Sequence, residues 1–439
     1  MENRNSIKVT MVCHFSNAMI REHLPLDKRK LYVFLRKLLR MPTKGGGYGD
    51  IAPWDTSIIN DFKQRADVDL YVISAHSGLK HKVVAFEEEG VHYWFVKCDD
   101  ATMLKNLMKN DERWVKLNPM IPRVRGIVEK IHPDIVMLVG AENAYYSSTL
   151  LGLNGYPTLT LCQTIYNNPE RSIYGSVDSK NALVERKLIS KEQCFAVYCK
   201  KHYDLLRQLA PEKLIFKFGF PSKGVLLSPT PCEKEYDFVN FAMGMSEKKG
   251  FHDAIHALTK VKEKYPEVKL NLTGGCTQEM RNELEQLAKS VGVENNVIFT
   301  PFFEKQSDLF LHIQKSRFAV LPCKMDNVSG TMTQAMQLGL PIVVYKTTGT
   351  PAFNREKKCA LIAEHSNVDD LAAKMLYMMD HPDEAETIAK NAREYQEKKA
   401  AIEKGNGDRL VAILKAIVDN YKNGTSIPQE MLFDPERDD

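Results

Sequence analysis

Short runs of β-branched and aliphatic residues alternate, from one end of the chain to the other, with longer stretches whose apolar side chains recur every three or four positions. The strand-like runs lie at 7–15, 68–74, 91–96, 135–139, 158–161, 195–198 and 214–218, then at 238–243, 268–273, 297–300, 318–321 and 342–345. Between them, helical periodicity is clearest at 114–131, 251–265 and 332–338, and the last of these ends at Gly339 with Pro341 just beyond. Strands alternating with helices predict parallel sheets built from βαβ units. The two series are separated at Gly219-Phe220-Pro221 and by the polar Ser228-Pro229-Thr230-Pro231. The pattern therefore predicts an N-terminal Rossmann-like domain over 1–217, a second over 218–422, and an irregular tail over 423–439 that carries Pro428, Pro435 and five acidic residues.

Composition agrees with two domains: 439 residues, 44% of them hydrophobic, exceed what one core usually organises. No run of about eighteen uncharged apolar residues occurs, and the charged start predicts no secretory leader. The expected location is cytoplasmic. Nine cysteines without a Cys-x-x-Cys pair read as reduced core residues. The net charge of +4 conceals an asymmetry, because residues 1–217 hold 32 basic and 24 acidic side chains and the remainder 28 and 32. A basic first half suits an anionic partner there, such as a lipid headgroup or pyrophosphate, and equally fits unevenly solvated charge. No nucleic-acid partner is predicted.

The densest chemistry lies in Leu321-Pro-Cys-Lys-Met-Asp326-Asn-Val-Ser329-Gly330-Thr331-Met-Thr-Gln334-Ala-Met-Gln-Leu-Gly339. A buried strand ends in a loop carrying Asp326, the loop turns through Ser329-Gly330, and a helix begins. The first amides of a helix have no internal acceptors and sit at the positive end of its dipole, so Ser329, Gly330 and Thr331 form a natural anion site. Asp326 and Gln334, eight residues apart, could flank one bound molecule across two helical turns. The same spacing also fits an ordinary N-cap and turn.

This segment resembles the donor-binding stretch of the retaining family-4 glycosyltransferases, in which an acid, seven residues and a second acid precede Ala-Met, Gly, Pro and a strand. Asp326 falls on the first acid and Gln334 on the second, with Ala335-Met336, Gly339 and Pro341 following in register. Upstream, Met243-Gly244 through Lys249-Gly250-Phe251 is similar to the family's loop after the first strand of the C-terminal domain, and Leu272-Thr273-Gly274-Gly275 to the Gly-rich end of the next strand. Together these elements cover nearly all of 214–380. The resemblance implies the GT-B fold: an α/β chain of two Rossmann-like domains with parallel sheets facing across a cleft. It further implies that Asp326 contacts donor sugar hydroxyls, that Gln334 meets the ribose, and that Lys249 helps neutralise the diphosphate without a metal. Three positions depart from the family: Gln334 is an amide, Met245 or Ser246 stands where an arginine would be, and Gln163 takes the place of a histidine beside the reacting carbon.

In the first half, His14 and His76 each follow a strand and Glu142 follows 135–139, which makes them acceptor-side candidates for the cleft. The run Gly45-Gly46-Gly47-Tyr48-Gly49 reads either as backbone amides for the diphosphate or as a hinge or lid. Asp67-Val-Asp69 reads as a solvated strand edge, and no metal or other cofactor is predicted. Arg29, Arg36, Lys37 and Arg40 flank an apolar stripe of Leu31, Phe34, Leu35 and Leu38. That stripe suits either an anionic membrane surface on the cytoplasmic face or the domain's own core.

The reading is thus an enzyme moving a sugar, with retention, from a nucleoside diphosphate sugar to a glycan or lipid-linked acceptor, in surface polysaccharide or glycoconjugate synthesis. Two other readings stay open: an inactive relative serving as a nucleotide-sugar or glycan-binding subunit, and a nucleotide-sugar epimerase.

Overall fold

The computed structural model describes residues 6–26, 52–169, 177–221, 226–324, 328–347 and 349–437. Two compact units emerge: one comprises residues 1–223 with 403–439, the other residues 224–402. Gly45, Gly46, Gly47, the basic stripe at Arg29, Arg36, Lys37 and Arg40, and Asp326 all lie outside the described residues.

The first unit holds an eight-stranded sheet in the order β3-β4-β2-β1-β5-β6-β7-β8. Its strands are β1 (Ile7–Cys13), β2 (Val68–His76), β3 (Val83–Glu88), β4 (Val91–Lys97), β5 (Ile135–Val139), β6 (Thr158–Leu161), β7 (Cys194–Val197) and β8 (Leu214–Lys217). Only the β3–β4 pair is antiparallel. Both faces of the central strands are covered, Val9 and Met11 of β1 facing one core and Val12 another, and β5 accordingly reads as a continuous apolar run. β3 was not predicted. Its residues alternate between exposed and half-buried, so it lacks the apolar run that marks its neighbours, and a tight turn at Glu89-Gly90 folds it onto β4.

The second unit holds a fully parallel six-stranded sheet, ordered β11-β10-β9-β12-β13-β14. These are β9 (Tyr236–Gly244), β10 (Leu270–Gly275), β11 (Val297–Thr300), β12 (Ser316–Leu321), β13 (Ile342–Tyr345) and the unpredicted, three-residue β14 (Leu361–Ala363). Phe238 and Ala242 of β9 face one core, Val239 and Phe241 the other.

Four further expectations are corrected. The helix at 114–131 is two helices, Asp111–Leu117 and Met120–Ile131, because Pro119 interrupts the first and begins the second. Helix Asn406–Asn423, read as part of the C-terminal domain, belongs to the first unit, where Leu410, Val411, Ile413, Leu414 and Ile417 complete the core beside β1 and β2. The tail after it packs down as well: Phe433 is buried, its amide donates to the Ile215 carbonyl at 2.8 Å, and its ring stacks on Tyr203. Nor are all the cysteines core residues, since Cys232 and Cys276 are exposed.

Each sheet reverses its winding direction once. In the second unit the chain runs outward from β9 through β10 to β11, then returns to the other side of β9 at β12. The carboxyl ends of β9 and β12 therefore meet at a switch point, where open α/β sheets place a ligand crevice. The β1–β5 junction is the equivalent point in the first unit.

Candidate functional site

The crevice of the second unit is built from two loops in direct contact. After β9 the chain makes a short 3-10 turn, Glu247–Lys249, and enters helix Phe251–Lys264 through Gly250. Gly250 has φ +76°, and a Cβ there would fall 2.2 Å from the Pro322 carbonyl oxygen in the loop after β12. The Lys324 amide donates to the Lys248 carbonyl at 3.0 Å across the same contact. Lys248 is exposed and Lys249 half-buried, so the two lysines meet different surroundings although they are adjacent. At the neighbouring strand end, Gly274 has φ +150° and a Cβ would meet the Ala242 carbonyl at 2.2 Å. Glycine there lets β10 abut β9, with the Met245 amide closing onto the Gly275 carbonyl at 2.8 Å. Gly244 is exposed beside them.

Helix Gly330–Gln337 begins where the loop after β12 ends. Ser329 is its N-cap: the hydroxyl accepts from the Met332 amide at 3.4 Å and lies 2.8 Å from the Thr331 hydroxyl. Helix geometry leaves the Gly330 and Thr331 amides without intrahelical acceptors. Gly330 is exposed, with open space where a side chain would be, so a ligand can approach the backbone. Gln334 follows one turn later, half-buried. A cation-bearing turn, a helix start with open amides at Gly330 and Thr331, and the Gln334 amide thus lie in one unit, on the loops after β9 and β12.

In the first unit, His14 and Glu142 both lie beside the Tyr145-Tyr146 pair, whereas His76 is held by Ser16 and Ser77. His14, at the end of β1, has Nδ1 2.7 Å from the Tyr145 hydroxyl and its ring edge-on to Tyr145. Glu142 curls back over Gly140, whose φ is +83°, next to the Tyr146 hydroxyl. Burial, reinforced by the Glu142 charge, holds the Tyr146 phenol well above its usual range, so it stays a neutral donor to the Val139 carbonyl. His76 is buried, with Nδ1 2.7 Å from the Ser77 carbonyl and Nε2 3.5 Å from the Ser16 hydroxyl. Gln163 is half-buried, and its carbonyl accepts the Tyr198 hydroxyl at 3.2 Å. The Asp67-Val-Asp69 pair is engaged locally: Asp67 lies 2.6 Å from Lys415, which holds its carboxyl below the usual range, and Asp69 accepts from the Tyr71 hydroxyl. Among the described residues, no three His, Cys, Asp or Glu side chains gather at metal-binding distance.

Two carboxylates that organise these loops were missed. Asp253, in the first turn of its helix, is buried between Lys324 Nζ at 2.9 Å and the Tyr345 hydroxyl at 2.8 Å. Glu185 is buried and accepts the amides of Tyr166 and Asn167, both at 2.7 Å, which fixes the chain after Gln163. Each looks in sequence like a solvated residue on an amphipathic helix. Their only signal is their place on the helix face that packs inward. Glu185→Ala should lower the stability of the first unit by about 2–3 kcal/mol, since two amides lose a charged acceptor inside the protein; a melting temperature unchanged within error would contradict this.

Comparison with known proteins bears on this geometry. Residues 230–395 match the model of the family described as glycosyl transferases group 1. An uncharacterised glycosyltransferase of Haemophilus influenzae is 24% identical over 136 residues, 31% of this chain and 37% of that protein. A trehalose synthase of Thermococcus litoralis is 27% identical over 154 residues, 33% of this chain and 36% of that protein. The matched stretch thus spans well under half of those relatives. Among solved structures, sucrose-phosphate synthase from Thermosynechococcus elongatus superposes with a TM-score of 0.64 at 13% identity, over 93% of this chain and 100% of that one. Anabaena HepE in complex with UDP-glucose gives 0.60 at 14% identity, over 93% and 100%. At such identities the likeness establishes the two-domain fold alone.

Proposed function

We propose, from the premise that the chain belongs through residues 230–395 to the group 1 glycosyltransferases, that it transfers a sugar with retention from a nucleoside diphosphate sugar to a glycan or lipid-linked acceptor, without a metal. The observation that carries this reading is the shared crevice of the second unit, where Lys249 and the start of helix Gly330–Gln337 supply positive potential at the carboxyl ends of β9 and β12. Breaking the bond between the sugar carbon and the phosphate oxygen leaves negative charge on the diphosphate. A fixed cation and helix amides then stabilise the transition state more than the bound donor. HepE's complex with UDP-glucose makes UDP the first nucleotide to test.

A thermal-shift panel of UDP, GDP, ADP and their sugars tests the reading, because a ligand of the native state alone raises the melting temperature. One diphosphate should stabilise the protein, and the shift should survive excess EDTA. Strict dependence on magnesium or manganese would remove the metal-free mechanism.

Asp326 is proposed to hold donor sugar hydroxyls and Gln334 the ribose. Asp326→Ala should therefore lower turnover about a hundredfold while affinity for the bare nucleotide changes little. Gln334→Ala should weaken nucleotide and nucleotide sugar alike, by about tenfold, because a ribose contact is common to ground and transition states. Equal behaviour of the two variants in kinetics and calorimetry would refute these roles. One observation favours the second reading, a binding subunit: an amide at Gln334 accepts a ribose hydroxyl less strongly than an acid would. Gln334→Glu separates the two readings. A protein that binds a nucleotide sugar yet transfers it to no acceptor or water, with or without this change, is a binding subunit.

A further inference from the structure

We propose that Lys324 is a second cation for the donor's diphosphate, held ready on the buried carboxylate of Asp253; the proposal rests on the donor-site reading above. A departing nucleoside diphosphate carries about two to three negative charges at neutral pH. Lys249 offsets one of them, and the β9 loop, residues 245–250, contains no arginine. The loop after β12 supplies one more cation, Lys324, at close quarters. Its backbone touches the β9 loop at three points: the Lys324 amide on the Lys248 carbonyl, the Cys323 thiol on the same carbonyl at 3.6 Å, and Pro322 against Gly250. Lys249 and Lys324 therefore leave adjoining segments after the carboxyl ends of β9 and β12.

The side chain of Lys324 is only 19% exposed, and its Nζ lies 2.9 Å from Asp253 and 3.8 Å from Glu247. Asp253 in turn takes the hydroxyl of the fully buried Tyr345, and burial together with the Asp253 charge keeps that phenol protonated. One N–H of the ammonium goes to Asp253 and two remain for phosphate oxygens. Holding the stem in place beforehand reduces the rotamer freedom lost when the ligand arrives. A buried ion pair adds little stability over apolar residues of the same volume, so stability alone does not account for a lysine at this point.

Calorimetry on the full chain tests the assignment, using whichever of UDP, GDP and ADP gives the largest thermal shift, paired with its own nucleoside. Lys324→Met should weaken the diphosphate about tenfold or more and the nucleoside by less than about twofold, and Lys324→Arg should restore binding. Because Lys324→Met leaves Asp253 buried without its cation, the double variant Lys324→Met/Asp253→Asn removes both charges and keeps an acceptor for Tyr345. The loss specific to the diphosphate should persist in it. Equal weakening of diphosphate and nucleoside, or diphosphate affinity within about twofold of the parent in both variants, would overturn the proposal. A loss in Lys249→Met without one in Lys324→Met overturns this inference alone, whereas failure of the parent to bind any of the three diphosphates overturns the donor-site reading with it.

Discussion

Lys249→Met is expected to lower kcat/KM for the nucleotide sugar by about two to three orders of magnitude, the usual consequence of removing one preorganised group from developing charge. The size of the effect follows from its surroundings. Lys249 is half-buried on a short turn pinned at both ends, by the Lys249 amide on the Ser246 carbonyl at 3.1 Å and the Gly250 amide on the Glu247 carbonyl at 2.8 Å. Its charge is screened less than that of an exposed lysine, and it needs little reorganisation as the diphosphate departs. Lys248, exposed beside it, is the natural control: Lys248→Met should change kcat/KM by less than about threefold. Steady-state kinetics with the sugar nucleotide identified by thermal shift measure both. Similar losses in the two variants would show that the loop bears on the reaction through its general charge and not through Lys249.

The parts of this fold that were legible in the sequence are those buried on both faces. β5 and β13, buried along their whole length, have the bounds that their apolar runs predict, because a strand covered on both sides has no polar positions to blur its ends. The elements that were not legible draw their stability from neighbours distant in sequence. β3 has an exposed edge and an unremarkable composition, and it is a strand only because β4 offers a partner across Glu89-Gly90. Helix Asn406–Asn423 has a clear apolar face, but periodicity cannot say which core that face will cover, and the chain returns from the second unit to pack it on the first. The residues around Phe433 have the composition of a loose tail and are held by one backbone bond to β8 and a stacked tyrosine.

Legibility of the site divides in the same way. Lys249, Ser329, Gly330 and Thr331 lie in short segments whose local structure, a turn or a helix start, follows from a few adjacent residues. The contact that joins those segments is non-local. Nothing in the run Lys248-Lys249-Gly250 announces Pro322, and nothing near Lys324 announces Asp253, seventy-one residues earlier. Gly250 could be read as a helix-start glycine but not as the point at which two loops touch. In the first unit the histidines separate for a comparable reason: both end strands, but His76 is turned into a buried network with Ser16 and Ser77, whereas His14 meets Tyr145 from the turn after β5.

That loop contact carries the second large effect, on stability. Gly250→Ala faces two costs, the left-handed conformation at φ +76° and a Cβ 2.2 Å from the Pro322 carbonyl oxygen, where backbone on both sides leaves little room to yield. The first is about 1–2 kcal/mol for an alanine. The second forces apart the loops that carry Lys249 and Lys324, and together they should cost about 4 kcal/mol, in the range reserved for strain at a special backbone position. Gly292 separates the two terms, because its φ is +72° but no atom lies within 4 Å of the added methyl. Gly292→Ala should therefore show the conformational cost alone, about 1–2 kcal/mol. Thermal unfolding followed in the second unit should rank them in that order, and the diphosphate affinity of Gly250→Ala should fall with its stability, whereas Gly292→Ala should bind as the parent does. Equal stability losses at the two glycines would mean that the loops separate without resistance, and the tight junction between β9 and β12 would then have no energetic role in holding the crevice.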